Sequence, residues 1–247
     1  MEVHHHPHAG KKNLKAYLLE GFMIFIAVML GFFAENLRER ITDNRRLHEY
    51  IGSMVNDLQG DPAMYDSCIT FNLAHCRMID TIITSIKQKK DNTSEIYYRA
   101  RQLTMGSSVL SPDAKTFDQM KSNGGLRLIH QQMIADNIAS YYQWMKKFDY
   151  WSDLQRQRIN DIIHVNDRIF DGSVFFSILK GMENNPGTRN PGINPALIST
   201  DAPVVNSVFM CYQYYYGMLQ LMNQRALLAS VQAARLIALL KKEYRME

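Results

Sequence analysis

Few side-chain groupings in this chain have the makings of a site, and each has a plain alternative. His4, His5, His6 and His8 form a tract interrupted by Pro7. Imidazoles this close together bind Zn²⁺, Ni²⁺ or Cu²⁺ loosely and change charge near neutral pH. A flexible tract binds promiscuously, so the expectation is no dedicated cofactor and at most a weakly held divalent metal. The Pro7 interruption favours a native tract over a purification tag. Glu20 is the one carboxyl in the apolar run Ala16–Ala34. In lipid such a group turns toward a partner or a wet cavity, or else reaches the interface beside a cation such as Lys15. Both readings stand at this point.

Further along, Asp149, Asp153, Asp161 and Asp167 share one helical region with Arg158 and His164. The aspartates are spaced so as to spread round the helix, which reads as a solvated face and not a metal site. Arg158 and His164 match a pattern found in helical RNA-cleaving domains, but so short a pattern arises often by chance. His75, His130 and His164 are too far apart in sequence for any meeting to be read from spacing. No Walker loop, Rossmann glycine pattern, H-E-x-x-H, C-x-x-C or nucleophile elbow occurs.

The element that must position everything else is the apolar run itself. From Ala16 to Ala34 a helix would cover roughly 28 Å, near the thickness of a hydrocarbon core. Phe22, Phe25, Phe32 and Phe33 leave it apolar nearly all round, whereas a soluble core helix keeps a polar stripe. Bulky Phe32 stands where a signal-peptidase site needs a small residue, so an uncleaved anchor is expected. At about 100° per residue, Glu20, Ala27, Gly31 and Ala34 fall within an arc of roughly 60°. Ala27 and Gly31 make a small-xxx-small step suited to close helix pairing. Lys11, Lys12 and Lys15 precede the run, and Arg38, Arg40, Arg45 and Arg46 follow it. The positive-inside rule does not decide between these flanks. The large following region crosses regardless of charge, which leaves the N-terminus in the cytoplasm.

The 247-residue chain carries a net charge of +4 with no Lys/Arg tract of the nucleic-acid kind. Its 3 cysteines are too few for a disulfide framework. Cys68 and Cys76 lie about 12 Å apart along a helix, too far to bridge, and pairing of either with Cys211 stands beside buried free thiols.

Organisation follows from punctuation. Residues 1–13 are expected to be a flexible His-rich tail, 14–35 the transmembrane anchor and 36–247 a helical domain. The helix should run unbroken from Leu14 to Leu58, with Leu37, Ile41, Leu47, Ile51, Met54, Val55 and Leu58 as one apolar stripe turned toward later helices. Gly60-Asp61-Pro62 should end it, with Asp61 as N-cap of a second helix to about Lys90. A short helix to about Met105 follows, then one starting near Ser111. Asn123-Gly124-Gly125 should break that one, a glycine taking positive φ. A long helix to Phe170, a Pro/Asn/Gly-rich loop over 184–203 and a last helix from Val204 to about Tyr244 complete the chain. The fold class is all-α: a single N-terminal transmembrane helix continuing into a membrane-anchored bundle.

The opening EVHHHPH, the anchor end GFFAENLRER, the segment EYIGSMVNDLQGD and the internal TFDQMKSNGGLRLIHQQMIADNIASYY resemble an uncharacterised family of small bacterial single-pass membrane proteins of unknown function. The resemblance covers roughly residues 1–62 and 116–142. It implies that the His tract is native and that the protein sits in the bacterial inner membrane, and it implies no reaction, cofactor or partner. The functional expectation is a non-enzymatic scaffold or interaction module that self-associates in the lipid bilayer and binds envelope partners, not nucleic acid, with its domain in the periplasm. The alternatives are an oligomeric ion- or proton-conducting or motor-associated component using Glu20 and the His tract, and a helical hydrolase or nuclease.

Overall fold

The computed structural model describes residues 13–108, 110–184 and 194–246. The His tract and the centre of the 184–203 loop lie outside them. Among the described residues there are helices and turns but no strand. The chain divides into two compact units, one ending at Tyr50 and the other Ile51–Glu247.

Helix α1, Leu14–Gln59, is unbroken. It contains no Pro, and its first half is built from Leu, Ile, Phe and Met. Every residue from Asn13 to Arg40 is exposed. The apolar stripe divides along its length: Leu47, Ile51, Met54, Val55 and Leu58 are buried, but Leu37 and Ile41 are 51% and 63% exposed. The expectation that Leu37 and Ile41 join the core is therefore corrected. Periodicity marks the face of a helix but not where along its axis a neighbour begins.

In the second unit a one-residue interruption separates α1 from α2, Asp61–Lys87. Gly60 keeps right-handed helical dihedrals (φ −76°, ψ −24°) and is itself the N-cap. Asp61 is thus the first helical residue and not the expected cap; its carboxyl turns inward. Pro62 lies in the first turn, where its missing N–H is harmless. The C-terminus of α2 is a Schellman turn. Lys90 N donates to Ser85 O (3.1 Å) and Lys89 N to Ile86 O (3.2 Å), with Lys89 at φ +49°.

Helix α3, Thr93–Gln102, starts where Asn92 Oδ1 accepts from Glu95 N at 3.4 Å. Helix α4, Lys115–Ser122, begins four residues after the Ser111 expected from sequence; Asp113 Oδ1 accepts from Lys115 N at 3.1 Å just ahead of it. Gly124 follows with φ +74°, as expected of a C′ glycine, and Asn123 Oδ1 accepts from Gly125 N at 2.9 Å. A 3₁₀ turn, Gly125–Leu128, then brings Leu128 and Ile129 into the interior.

The single long helix expected up to Phe170 is instead two. These are α5, Gln132–Met145, and α6, Lys147–Asn166. Ile129 and Gln131 are extended (ψ 93° and 105°). Leu128 and Ile129 are both buried at this step. Helix α7, Gly172–Asn184, occupies the stretch between Phe170 and the 184–203 loop, to which the sequence pattern assigns no element. Its start is signalled in retrospect by Asp171, whose carboxylate accepts from Ser173 N at 2.8 Å.

Helix α8, Ala202–Glu243, organises the second unit. Its buried Val208, Tyr212, Tyr215, Leu219, Met222, Ala226, Ala229, Ala233, Leu236 and Leu240 recur at alternating steps of four and three. Tyr65, Cys68, Asn72, Cys76, Ile79 and Ile82 make the matching seam on α2. This is the spacing by which two helices keep one face together over many turns. Asn72 meets Asn223 and His75 meets Tyr215, so the two helices run antiparallel. Helices α5 and α6 also pack on α8, and α3 bridges α2 and α7.

The Gly124 turn has room for a side chain, since an added Cβ would meet nothing within 4 Å. Its constraint is the positive φ alone. Gly124→Val should therefore cost about 1–2 kcal/mol or more and lower the thermal midpoint by several degrees. Gly124→Asn, which tolerates left-handed backbone, should cost much less. Equal midpoints for Val and glycine in a circular-dichroism melt would refute this account of the turn.

Candidate functional site

In the first unit, Glu20, Ala27, Gly31 and Ala34 are all exposed on α1. A Cβ on Gly31 would meet nothing within 4 Å, so the surface there is open. Phe22, Phe25, Phe32 and Phe33 are each more than half exposed around the same helix. One stretch of this helix is long and apolar enough to cross a membrane, and none of that stretch is buried in the chain.

In the second unit the polar residues gather inside the α2–α8 seam. His75 Nδ1 lies 3.2 Å from Tyr215 Oη, and Gln155 Nε2 donates to the same oxygen at 3.5 Å. Gln155 Oε1 accepts from Ser108 Oγ at 3.0 Å. Tyr215 Oη donates to His75 Nδ1 or accepts from it according to the imidazole tautomer. Burial drives the His75 pKa down to about 4, the neutral imidazole being the form that tolerates loss of water. Phe71 lies against its ring, centroids 4.1 Å apart. One turn away, Asn72 Nδ2 donates to Asn223 Oδ1 at 2.9 Å, a side-chain bond across the seam.

The arrangement does not resemble a nucleophile paired with its base. Gln155 stands between Ser108 and His75, and a neutral amide cannot relay a proton as an imidazole does. The thiols are held in their protonated form: burial raises the Cys76 pKa to about 11 and raises that of Cys68. Cys68, Cys76 and Cys211 are all free, which settles the choice left open by their spacing.

A second polar group lies where α2 meets α5. Tyr141 Oη donates to the buried Asp61 Oδ2, and Tyr65 Oη lies 3.3 Å from Tyr141 Oη. Burial raises the Asp61 pKa against the pull of the Tyr141 hydroxyl. Burial also pushes both tyrosines well above their usual range. Tyr141 lines a cavity of about 350 Å³ between α5 and α8, with Asn137, Ser140, Trp144, Gln232 and Arg235. Sequence reading missed both buried networks. Their signal is a polar residue at a buried position of an apolar helix face, as Asn72 on α2 and Gln155 on α6 are.

Other expected residues take simpler places. His130 and His164 are exposed while His75 is buried, and the described residues contain no group of three or more His, Cys, Asp or Glu that could hold a metal. Asp149, Asp153 and Asp167 are exposed, and the half-buried Asp161 Oδ2 accepts from Arg158 at 2.9 Å. His4, His5, His6 and His8 lie outside the described residues. No family model, curated protein or solved structure matches this chain.

The His75 environment sets a pH dependence. Its folded pKa of about 4 lies below the ordinary 6.5, so the unfolded chain binds the extra proton between these values. Stability is full above about pH 6.5 and falls as pH drops toward 4, by about 3 kcal/mol for the whole interval. Asp61 works in the opposite sense, its raised pKa costing stability as pH rises. Urea midpoints of the wild type and His75→Gln across this range isolate the imidazole: the variant should lose most of the acid-side decline. Parallel profiles would show that another group carries it.

Proposed function

We propose that this protein is a membrane-tethered helical module, with α1 crossing a bilayer and the α2–α8 unit standing in water as an interaction domain. The observation that carries the reading is the exposed apolar half of α1. Leu, Ile, Phe and Val residues in a span favour insertion by about 0.3–0.6 kcal/mol each near its centre. Leu18, Leu19, Phe22, Ile24, Phe25, Ile26, Val28 and Leu30 together therefore outweigh one carboxyl near an end. The likeness of the opening segments to bacterial single-pass proteins supports an inner-membrane location. The unequal sizes of the two flanks support an N-terminus in the cytoplasm and a periplasmic domain.

The same reading gives α1 a second task, self-association through Glu20, Ala27, Gly31 and Ala34. Apolar side chains gain nothing by leaving lipid for one another, so helix pairing relies on close backbone approach and polar contact. This face combines both, and the open surface over Gly31 leaves room for a second helix. Envelope proteins are the partners expected for the water-exposed unit.

Two measurements test the module. After expression in a bacterial host the full chain should stay in the membrane pellet through alkaline carbonate, and residues beyond Arg46 should become protease-sensitive only once the outer face is opened. Release by carbonate would overturn the tether, and protection of the domain in spheroplasts would reverse the orientation. Gly31→Leu should reduce crosslinked dimer in native membranes several-fold while the thermal midpoint holds. Glu20→Gln should reduce it less. An unchanged dimer yield with Gly31→Leu would remove this face from the contact.

A further inference from the structure

A further cavity in the second unit belongs to neither polar network. It lies where the end of α2, the start of α3 and the approach to α8 come together, and its volume is about 550 Å³. Ile86, Ile96, Leu197 and Val205 give it an apolar lining, and Lys89 and Lys90 stand among its walls. No carboxylate is among the described lining residues.

One wall is a strap ahead of α8, and it is tied down. Tyr97 Oη donates to Ala196 O at 2.9 Å and accepts from Asp171 N at 2.9 Å. Ile198 N donates to Ile169 O at 3.1 Å. Bonds on either side of Leu197 thus hold it against the cavity.

The charged residues of the lining, Lys89 and Lys90, have one sign. Lys89 occupies the left-handed C′ position of the α2 Schellman turn, where glycine is the low-cost residue. A lysine there carries a backbone cost that glycine would avoid, and it joins Lys90 as an exposed cation in the cavity's lining. Thr93 also lines the cavity, and its Oγ1 is buried with no hydrogen-bond partner among the described residues. A buried hydroxyl without a partner is costly, and a ligand oxygen would relieve that cost.

The geometry points to a binding site for a single-chain aliphatic carboxylate, a free fatty acid. Its hydrocarbon lies against Ile86, Ile96, Leu197 and Val205. Its carboxylate meets Lys89 and Lys90 and accepts from Thr93 Oγ1. The volume falls in the range of pockets that enclose one small ligand, which argues against a two-chain lipid. An apolar chain alone would leave Thr93 Oγ1 unsatisfied and gain nothing from two ammonium groups. This inference is independent of α1 crossing a bilayer.

The test uses the full chain in nanodiscs of neutral lipid and a photoactivatable palmitate, with adducts mapped by mass spectrometry. Adducts should fall on residues 86–97 and 196–205 and be displaced by unlabelled palmitate. A Lys89→Glu, Lys90→Glu double variant should lower the yield roughly tenfold, the size expected for losing charge-assisted bonds. Thr93→Val, close to isosteric, should lower it several-fold with the melting temperature of the unliganded protein held or raised, which guards against a folding artefact. Adducts confined to residues 14–34 would overturn the site. So would yields indifferent to all three substitutions, or equal labelling by a neutral monoacylglycerol probe. Stronger labelling by a lysophospholipid probe would overturn the carboxylate assignment.

Discussion

The second unit depends on two long helices, α2 and α8, keeping one face together over many turns. A regular four-and-three spacing makes that feasible, because it holds the apolar seam in register instead of letting it wind away. An apolar seam alone tolerates sliding by a turn. Asn72 on Asn223 and His75 on Tyr215 break that degeneracy, since a shifted register would bury each polar group without its partner. Helices α5 and α6 then pack on α8, and Gln155 of α6 enters the same chain of hydrogen bonds through Tyr215. The polar interior therefore selects an arrangement that hydrophobic burial would leave loosely specified.

That interior has a chemical character of its own. His75 is held neutral, the tyrosines and thiols are held protonated, and the buried carboxyl of Asp61 is turned onto a tyrosine. Groups held this way are poor nucleophiles and poor bases at neutral pH, but they are well suited to fixing geometry. Whatever the second unit recognises is accordingly sought at its surface and in its cavities. The Asp61 group bears on this through Tyr141, which lines the cavity between α5 and α8. The cavity beside Lys89 and Lys90 is of a different kind, with an apolar lining of Ile86, Ile96, Leu197 and Val205 where the other is lined by Asn137, Ser140, Gln232 and Arg235.

The first unit obeys the opposite rule. Its helix buries none of its apolar run within the chain, whereas every large apolar residue of the α2–α8 seam is covered. One chain thus holds two solutions to the same problem of apolar surface. In one the neighbouring helices supply the cover, and in the other the described residues supply none.

Sequence alone determined the parts governed by local rules. An uninterrupted run without Pro set α1 from end to end, and Gly60-Asp61-Pro62 set the break before α2. Asn123-Gly124-Gly125 set a positive φ that only local backbone sterics require. These features are legible because their causes lie within a few residues. The tertiary structure decided what depends on distant neighbours. Leu37 and Ile41 share a stripe with Ile51 and Leu58, yet only the latter pair is buried, because exposure depends on how far a packing partner extends. Asp61 looked like a cap until Tyr141, eighty positions away, drew its carboxyl inward. Lys89 and Lys90 are exposed charges, yet the strap from Ala196 to Ala202 places an apolar cavity beside them. No local pattern encodes such meetings, since they arise only when segments far apart in the chain compete for the same interior space.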